Sequence, residues 1–352
     1  MTGIIKVLPG KSRDIEAVKK YIINNSYIDS YPKDIHIIRF YSSYVAISNG
    51  RVIKVTKPYM KYCPLAGALY RGINSHDDTS SVRGIIKEAI ESKISEFGFF
   101  TGKRVLWGSN ISIPFGASEI LMYALRKGAV DAAVVVCDGA GTVIADKPEV
   151  VQGIGARMNG IFHTSSIEGV IKKLEKTGAH VVFEDGTINQ LEGVEKAADS
   201  GYRNIAVTIN ASMDVPLNIL RKMEKNLGIS LTSLAICTTG IDRNRIMEIV
   251  ENTDIVWSCA SEELREIAGK RAIMQLSMKI PVFVLTKKGL GLIDSYSPDK
   301  NILESVNQGS QYLIAGSVNK GKAVRIGNFK SYLSKAELPV RHGREPLLNT
   351  KE

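Results

Sequence analysis

Four thiols offer the most distinctive chemistry in this chain: Cys63, Cys137, Cys237 and Cys259. Three of them follow apolar runs that read as buried strands. Cys137 closes Asp131–Cys137 (DAAVVVC), Cys237 follows SLAI, and Cys259 follows DIVWS. Small residues come next in each case, Asp138-Gly139-Ala140-Gly141-Thr142, Thr238-Thr239-Gly240 and Ala260-Ser261, and these leave space and free backbone N–H groups. Cys63 precedes Pro64 in a loop, as cluster ligands can. Thiolates gathered at one sheet edge can hold zinc or an iron–sulfur cluster. No C-x-x-C pair occurs, so the case is topological, and a free cysteine also packs as a small hydrophobe.

The segment VVVCDGAGTVI has a second chemistry. A buried strand followed by Asp-x-Ala-Gly-Thr resembles the first motif of haloacid-dehalogenase-like phosphotransferases. There Asp138 would attack phosphorus, the amides of Gly139, Gly141 and Thr142 would hold the phosphate, and Mg²⁺ would be the cofactor. Thr208, after a later strand, and Lys222 or Lys225 would complete that site. Ala140 stands where most such phosphatases keep a second Asp; phosphonate-cleaving members carry Ala there. No acidic pair follows a later strand to hold Mg²⁺, since Asp254 precedes its strand. Asp138-Gly139 is equally what a tight turn requires.

Weaker anion-binding candidates are Ser118, at a helix start, Arg157, in the glycine-rich stretch 153–160, and Ser261, at a helix N-cap. That stretch does not match G-x-G-x-x-G, and neither G-x-x-x-x-G-K-[ST] nor H-E-x-x-H occurs. His76 and His163 are expected in loops, and His180 at the start of a buried strand.

These residues need a scaffold, and hydrophobic periodicity supplies one. Helices are expected at 13–25 and 80–97, and a hairpin turns at Asn49-Gly50. From about residue 103, short apolar runs alternate with helices of 10–13 residues: Val105–Trp107, Asp131–Cys137, His180–Phe183, Asn204–Ile209, Ser233–Cys237, Asp254–Ser258 and Pro281–Leu285 are the expected strands. Glycine follows the helices at 117–127, 165–177, 190–200 and 215–226. The pattern predicts an α/β protein, a mainly parallel sheet with helices on both faces, with an N-terminal β-hairpin element and a small C-terminal β addition. The expected organisation is an extension over 1–34, a hairpin and helix element over 35–100, a core over 101–290 and a basic extension over 291–352. In the last, Tyr312–Ile314 and Ala323–Ile326 are expected to pair, and the tail beyond 330 to be loosely attached.

The 352 residues carry a net charge of +10, with 44% hydrophobic and 23% charged residues, an ordinary globular composition. The surplus is at the ends: residues 1–60 hold ten basic and four acidic side chains, and residues 318–352 hold eight and three. This charge suits an acidic protein or a small anionic ligand; no motif or aromatic-interleaved basic stripe supports nucleic acid. No spanning helix or signal peptide is visible, so a cytoplasmic location is expected.

At Lys61-Tyr62-Cys63-Pro64-Leu65, Phe115–Glu119, Asp131–Ile144, Val151–Gly155, Gly201–Thr208, Thr238-Thr239-Gly240 and Cys259-Ala260-Ser261 the sequence resembles the methanogenesis marker protein 8 family. The match covers roughly residues 35–290. The long CDGAGTVI string is the specific part. In that family His stands in place of Cys237. The resemblance implies an archaeal cytoplasmic protein without an assigned activity, linked by the family's name to one-carbon or methyl-coenzyme M reductase metabolism. The reading favours an accessory or maturation enzyme with a thiolate or small-anion site at the carboxyl edge of a parallel sheet. A phosphohydrolase using Asp138 and a non-catalytic partner-binding protein are the alternatives.

Overall fold

The computed structural model describes residues 15–24, 32, 34–74, 78–298, 302–316, 321–341 and 343–348. His76 lies outside them. Helix α1 (Ile15–Asn24) precedes strands β1 (His36–Phe40), β2 (Ser43–Ser48), β3 (Arg51–Val55) and β4 (Met60–Tyr62), then helices α2 (Pro64–Leu69), α3 (Thr79–Phe97) and α4 (Ala117–Arg126). Next come β5 (Ala132–Cys137), β6 (Gly141–Ala145), α5 (Pro148–Gly155), β7 (Gly160–Thr164), α6 (Glu168–Lys176), β8 (His180–Val181) and α7 (Gln190–Asp199). The alternating section holds β9 (Asn204–Asn210), α8 (Asn218–Leu227), β10 (Ser230–Ile236), α9 (Arg243–Asn252), β11 (Ile255–Trp257) and α10 (Glu262–Arg271). Strands β12 (Met274–Leu276) and β13 (Val282–Val284), helix α11 (Lys287–Tyr296), and strands β14 (Tyr312–Ala315), β15 (Lys322–Ile326), β16 (Phe329–Lys335) and β17 (Leu347–Leu348) follow.

The architecture is α/β. An eleven-stranded sheet runs in the order β15-β16-β14-β12-β13-β11-β10-β9-β5-β6-β8. At its centre β5, β9, β10 and β11 lie side by side and parallel. Antiparallel pairs flank them, so the sheet is mixed with a parallel heart. Strand β5 shows why DAAVVVC is apolar throughout. Ala133, Val135 and Cys137 join the core under α4, α5, α6 and α11, while Ala132 and Val134 join the core under α7, α8, α9 and α10. A strand buried on both faces has no polar side to alternate with.

The N-terminal hairpin belongs to a second, antiparallel sheet in the order β3-β2-β1-β7. Strand β7 leaves the main domain to pair with β1, so the hairpin is fastened by a strand from more than a hundred residues away. Helix α3 covers one face through Ile86 and Ile90, and Val18 and Ile22 of α1 pack with Ile37 and Phe162 on the other.

Several local expectations change. Val105–Trp107 is not a strand; the backbone N–H of Val105 bonds to the Phe97 carbonyl, and the segment runs as an extended loop. Gly153 and Gly155 end helix α5 rather than lining a loop, and His163 is in β7. His180 is exposed, at the rim of the sheet. Tyr312–Ala315 and Lys322–Ile326 do not pair directly, because β16 lies between them. The segment beyond 330 is not loose. It completes β16, buries Leu338, exchanges bonds between Val340 and Gln275, and returns to β4 as β17.

Candidate functional site

Parallel pairing of β10 with β11 brings two of the thiols to one edge. Leu234 is opposite Ile255 and Ala235 opposite Val256, so both strands end together, with Cys237 and Cys259 in the segments just beyond. Thr238 ties these ends: its hydroxyl donates to the Trp257 carbonyl and accepts the Cys259 N–H at 3.1 Å. Cys63 arrives from β4, where it caps α2, its sulfur accepting the Ala66 N–H at 3.4 Å. The carbonyl and N–H of Cys63 are both held by Asn74. All three cysteines are free and half-buried.

Burial pushes the Cys237 thiol up to about 12, with Arg39 pulling down against it and Cys259 pushing up. Burial also raises Cys63, and Cys259 again adds to the rise. Cys259 thus lies within electrostatic range of both other thiols. Among the described residues, no three His, Cys, Asp or Glu side chains stand at the spacing of a single-ion site.

Two buried arginines flank the thiols. Arg39, in β1, donates through Nη2 to Ser212 Oγ at 2.6 Å and to the Cys237 carbonyl at 3.0 Å, and its Nη1, on the guanidinium that Tyr44 adjoins, has no hydrogen bond within normal geometry among the described residues. The guanidinium packs over Phe162, 5.1 Å from the ring centre. Gly160, opposite Arg39 in β7, makes room for the Cys237 sulfur; a Cβ there would lie 2.3 Å from it. Cys237 itself takes a left-handed backbone conformation, with φ of 60°. Arg265, in α10, donates to the Cys259 carbonyl at 2.9 Å and pairs with Glu345 of the C-terminal segment at 2.9 Å; its Nε is buried without a hydrogen-bond partner among the described residues. Sequence reading did not select Arg39, Ser212 or Arg265 for the site. A charge inside the apolar run HIIRF was the visible signal for Arg39.

Cys137 is elsewhere. Strand β5 does not end freely at the edge but turns back as the β5–β6 hairpin. Its thiol is fully buried in the α4–α5 core, donates to the Asp138 carbonyl at 3.3 Å, and is held well above the usual thiol range by that burial. Cys137 is therefore a core residue, apart from the β10–β11 edge that carries Cys237 and Cys259.

Asp138 is fully buried, and both its oxygens are engaged. One accepts Arg104 Nε at 2.9 Å and the other accepts the Phe100 N–H at 2.6 Å. Arg104 stacks 3.8 Å over the Phe99 ring and donates to the carbonyls of Gly153 and Ile154. The turn amides are spent as well: Gly139 N–H bonds to Thr164 Oγ1 at 2.7 Å and Thr142 N–H to the Thr187 carbonyl at 3.1 Å. Gly141 is a close approach, since a Cβ there would lie 2.4 Å from the Gly186 carbonyl oxygen. Thr142 Oγ1 bonds Gln190 and Asn189. Thr208 and Lys222 are not among the partners of Asp138, and Lys222 is exposed on α8. This geometry gives a phosphoryl-accepting role no support: the carboxylate is an anchor for the 99–104 loop.

Ser118 is buried and donates to Glu119 at 2.9 Å, while exposed Arg157 stacks over Phe97 at 4.5 Å. Neither joins the thiols. Ser261 caps α10 two residues after Cys259, accepting the Leu264 N–H. Thr239 is buried and Gly240 takes a positive φ in the turn after Cys237. A groove of about 460 Å³ between α7 and α8, lined by Asn189, Glu192, Lys196 and Ile219, contains no cysteine.

A family described as "Uncharacterized protein conserved in archaea (DUF2099)" matches residues 36–296. A relative named "Uncharacterized protein MJ0054", from Methanocaldococcus jannaschii, is 43% identical over 246 residues, which is 70% of this chain and 84% of the relative. Among solved structures, a chain of the F420-reducing NiFe hydrogenase complex from Methanosarcina barkeri overlays with a TM-score of 0.27 at 14% identity, covering 54% of this chain and 72% of that one.

Proposed function

The chain belongs to the DUF2099 family of proteins conserved in archaea, and on that footing we propose that it is a cytoplasmic accessory or maturation protein whose working site is the thiol trio Cys63, Cys237 and Cys259, built to hold an iron–sulfur type cluster. The observation that carries this reading is the shared edge of β10 and β11, where the hydroxyl of Thr238, next to Cys237, accepts the Cys259 N–H; Cys259 also raises the Cys63 thiol, which comes from a different part of the fold. A cluster and a single zinc ion ask different things of the sulfurs. One zinc ion draws every sulfur to about 2.3 Å from itself, whereas each thiolate of a cluster binds its own iron and the sulfurs stay apart. No three metal-binding side chains are at single-ion spacing among the described residues.

Charge supports it too. Three thiolates around a cluster of charge +2 leave about −1 on the site, and a buried charge needs an opposing one nearby. Arg39 and Arg265 are buried there, Arg265 paired with Glu345, and each has a nitrogen without a hydrogen bond among the described residues. When bound, the cluster would supply electron transfer or an open iron position. The protein's own part is to fix the three sulfurs through Asn74, Thr238 and Arg39 and to neutralise the charge. The fully buried Cys137 is outside this set.

The methanogenesis marker resemblance belongs to the same reading, and a relative from Methanocaldococcus jannaschii is in keeping with it. No helix among the described residues is long and apolar enough to cross a membrane. The test is anaerobic purification with iron and sulfide analysis of the wild type beside Cys259→Ser and Cys137→Ala. Iron and sulfide in the wild type and Cys137→Ala, lost in Cys259→Ser, are expected.

A further inference from the structure

The C-terminal segment returns across most of the chain to strand β4. Strand β17 pairs antiparallel with β4, Leu347 opposite Tyr62 and Leu348 opposite Met60, and Arg344 lies 4.4 Å over the Tyr62 ring. Helix α2 begins directly after β4. Strand β4 thus joins both elements, β17 by pairing and α2 by running into it through Cys63.

Their composition is unusual for a free surface. Leu65 is 39% exposed, Leu69 59% and Leu347 47%, three of the six large apolar side chains exposed among the described residues. Lys61, Arg71 and Arg344 are exposed around them, and none has an acidic partner among the described residues. Two acids close by in sequence, among the described residues, are committed elsewhere. Glu345 is bonded to Arg265 and Arg341, and the carboxylate of Asp78 is turned to Ser80 and Ser81 at the start of α3. An apolar centre ringed by unpaired cations is complementary to an apolar segment ringed by carboxylates.

We propose that the β4–α2–β17 face is a docking surface for an acidic partner protein, which presents leucine-like side chains to Leu65, Leu69 and Leu347 and carboxylates to Lys61, Arg71 and Arg344. The inference does not depend on what the thiols hold. It would place such a partner at the side of Cys63.

The test is fluorescence anisotropy with the full chain and a labelled amphipathic peptide, leucine on one face and glutamate on the other. A peptide of the same pattern with lysine in place of glutamate is the control. The glutamate peptide should bind, more tightly at low salt, and the lysine peptide should not. Leu69→Asp with Leu347→Asp, and separately Lys61→Glu with Arg71→Glu, should each weaken binding by about tenfold or more, with melting curves showing intact folding. Cys259→Ser should bind as the wild type does, which separates this surface from the thiol site. Equal binding of both peptides, or no loss in either double variant, would overturn the proposal. So would self-association abolished by Leu69→Asp, which would make a second copy the occupant, or tighter binding to anionic phospholipid vesicles than to the glutamate peptide.

Discussion

Arg39 Nη2 donates to the backbone carbonyl of Cys237 at 3.0 Å, across 198 positions of sequence, and so fastens the N-terminal sheet to the carboxyl edge of the main one. The same guanidinium sits close enough to the Cys237 sulfur to favour its thiolate against burial. If Cys237 is a ligand as proposed, Arg39 is a positioning residue that fixes both its place and its charge. Arg39→Gln should release iron to a chelator about tenfold faster than the wild type, the scale typical when a residue supporting a metal ligand is lost. It should also shift the visible spectrum. Unchanged release and an unchanged spectrum would remove Arg39 from the site.

The Arg104–Asp138 pair predicts a stability effect in place of a catalytic one. Asp138→Asn leaves a buried guanidinium uncompensated, at a cost of about 3–5 kcal/mol. Denaturant melts should show that loss, while the wild type should turn over neither phosphate esters nor phosphonates in the presence of Mg²⁺. Hydrolysis abolished by Asp138→Asn would reinstate the nucleophile reading.

Glu345 holds Arg265 from the C-terminal segment. Glu345→Gln keeps the shape and removes the charge. Because Glu345 is partly exposed, the loss should be smaller than for a fully enclosed pair, about 1–3 kcal/mol. A melt indistinguishable from the wild type would show that the segment is not anchored there.

His163 gives a pH signature. Burial, with Lys19 and His36 nearby, lowers it from 6.5 to about 4, against the weaker pull of Glu16 and Asp185. The unfolded chain therefore takes up a proton that the folded chain refuses over this window. Stability contributed by His163 should be full above pH 6.5 and should fall as the pH drops towards 4. His163→Gln should flatten that part of the stability curve, and an unchanged slope would contradict the assignment.

Much of the scaffold was legible because its signals are local. Gly128, Gly178, Gly201 and Gly228 mark helix ends, and all four take positive φ where expected. The DAAVVVC run announced a strand buried on both faces. What could not be read was pairing. Cys137 and Cys237 look alike in sequence, each at the end of an apolar run. Yet β5 is followed by an antiparallel hairpin that buries its end, while β10 lies parallel to β11 and shares an edge with it. The turn Asp138–Gly141 looked like a ligand loop because its glycines suit either purpose. The amides of Gly139 and the following Thr142 are consumed by Thr164 and Thr187, contacts that only the fold supplies. Docking of β17 on β4 is equally non-local, and composition alone made the tail look loose.

The central claim is that Cys63, Cys237 and Cys259, without Cys137, hold one thiolate-bound centre. Its most direct measurement is iron and acid-labile sulfide per chain after anaerobic purification and reconstitution. The wild type and Cys137→Ala should retain both, with a visible absorption band, and Cys259→Ser should retain neither. A wild type that stays free of iron and sulfide after reconstitution, or a Cys137→Ala variant that loses them as Cys259→Ser does, would contradict the account.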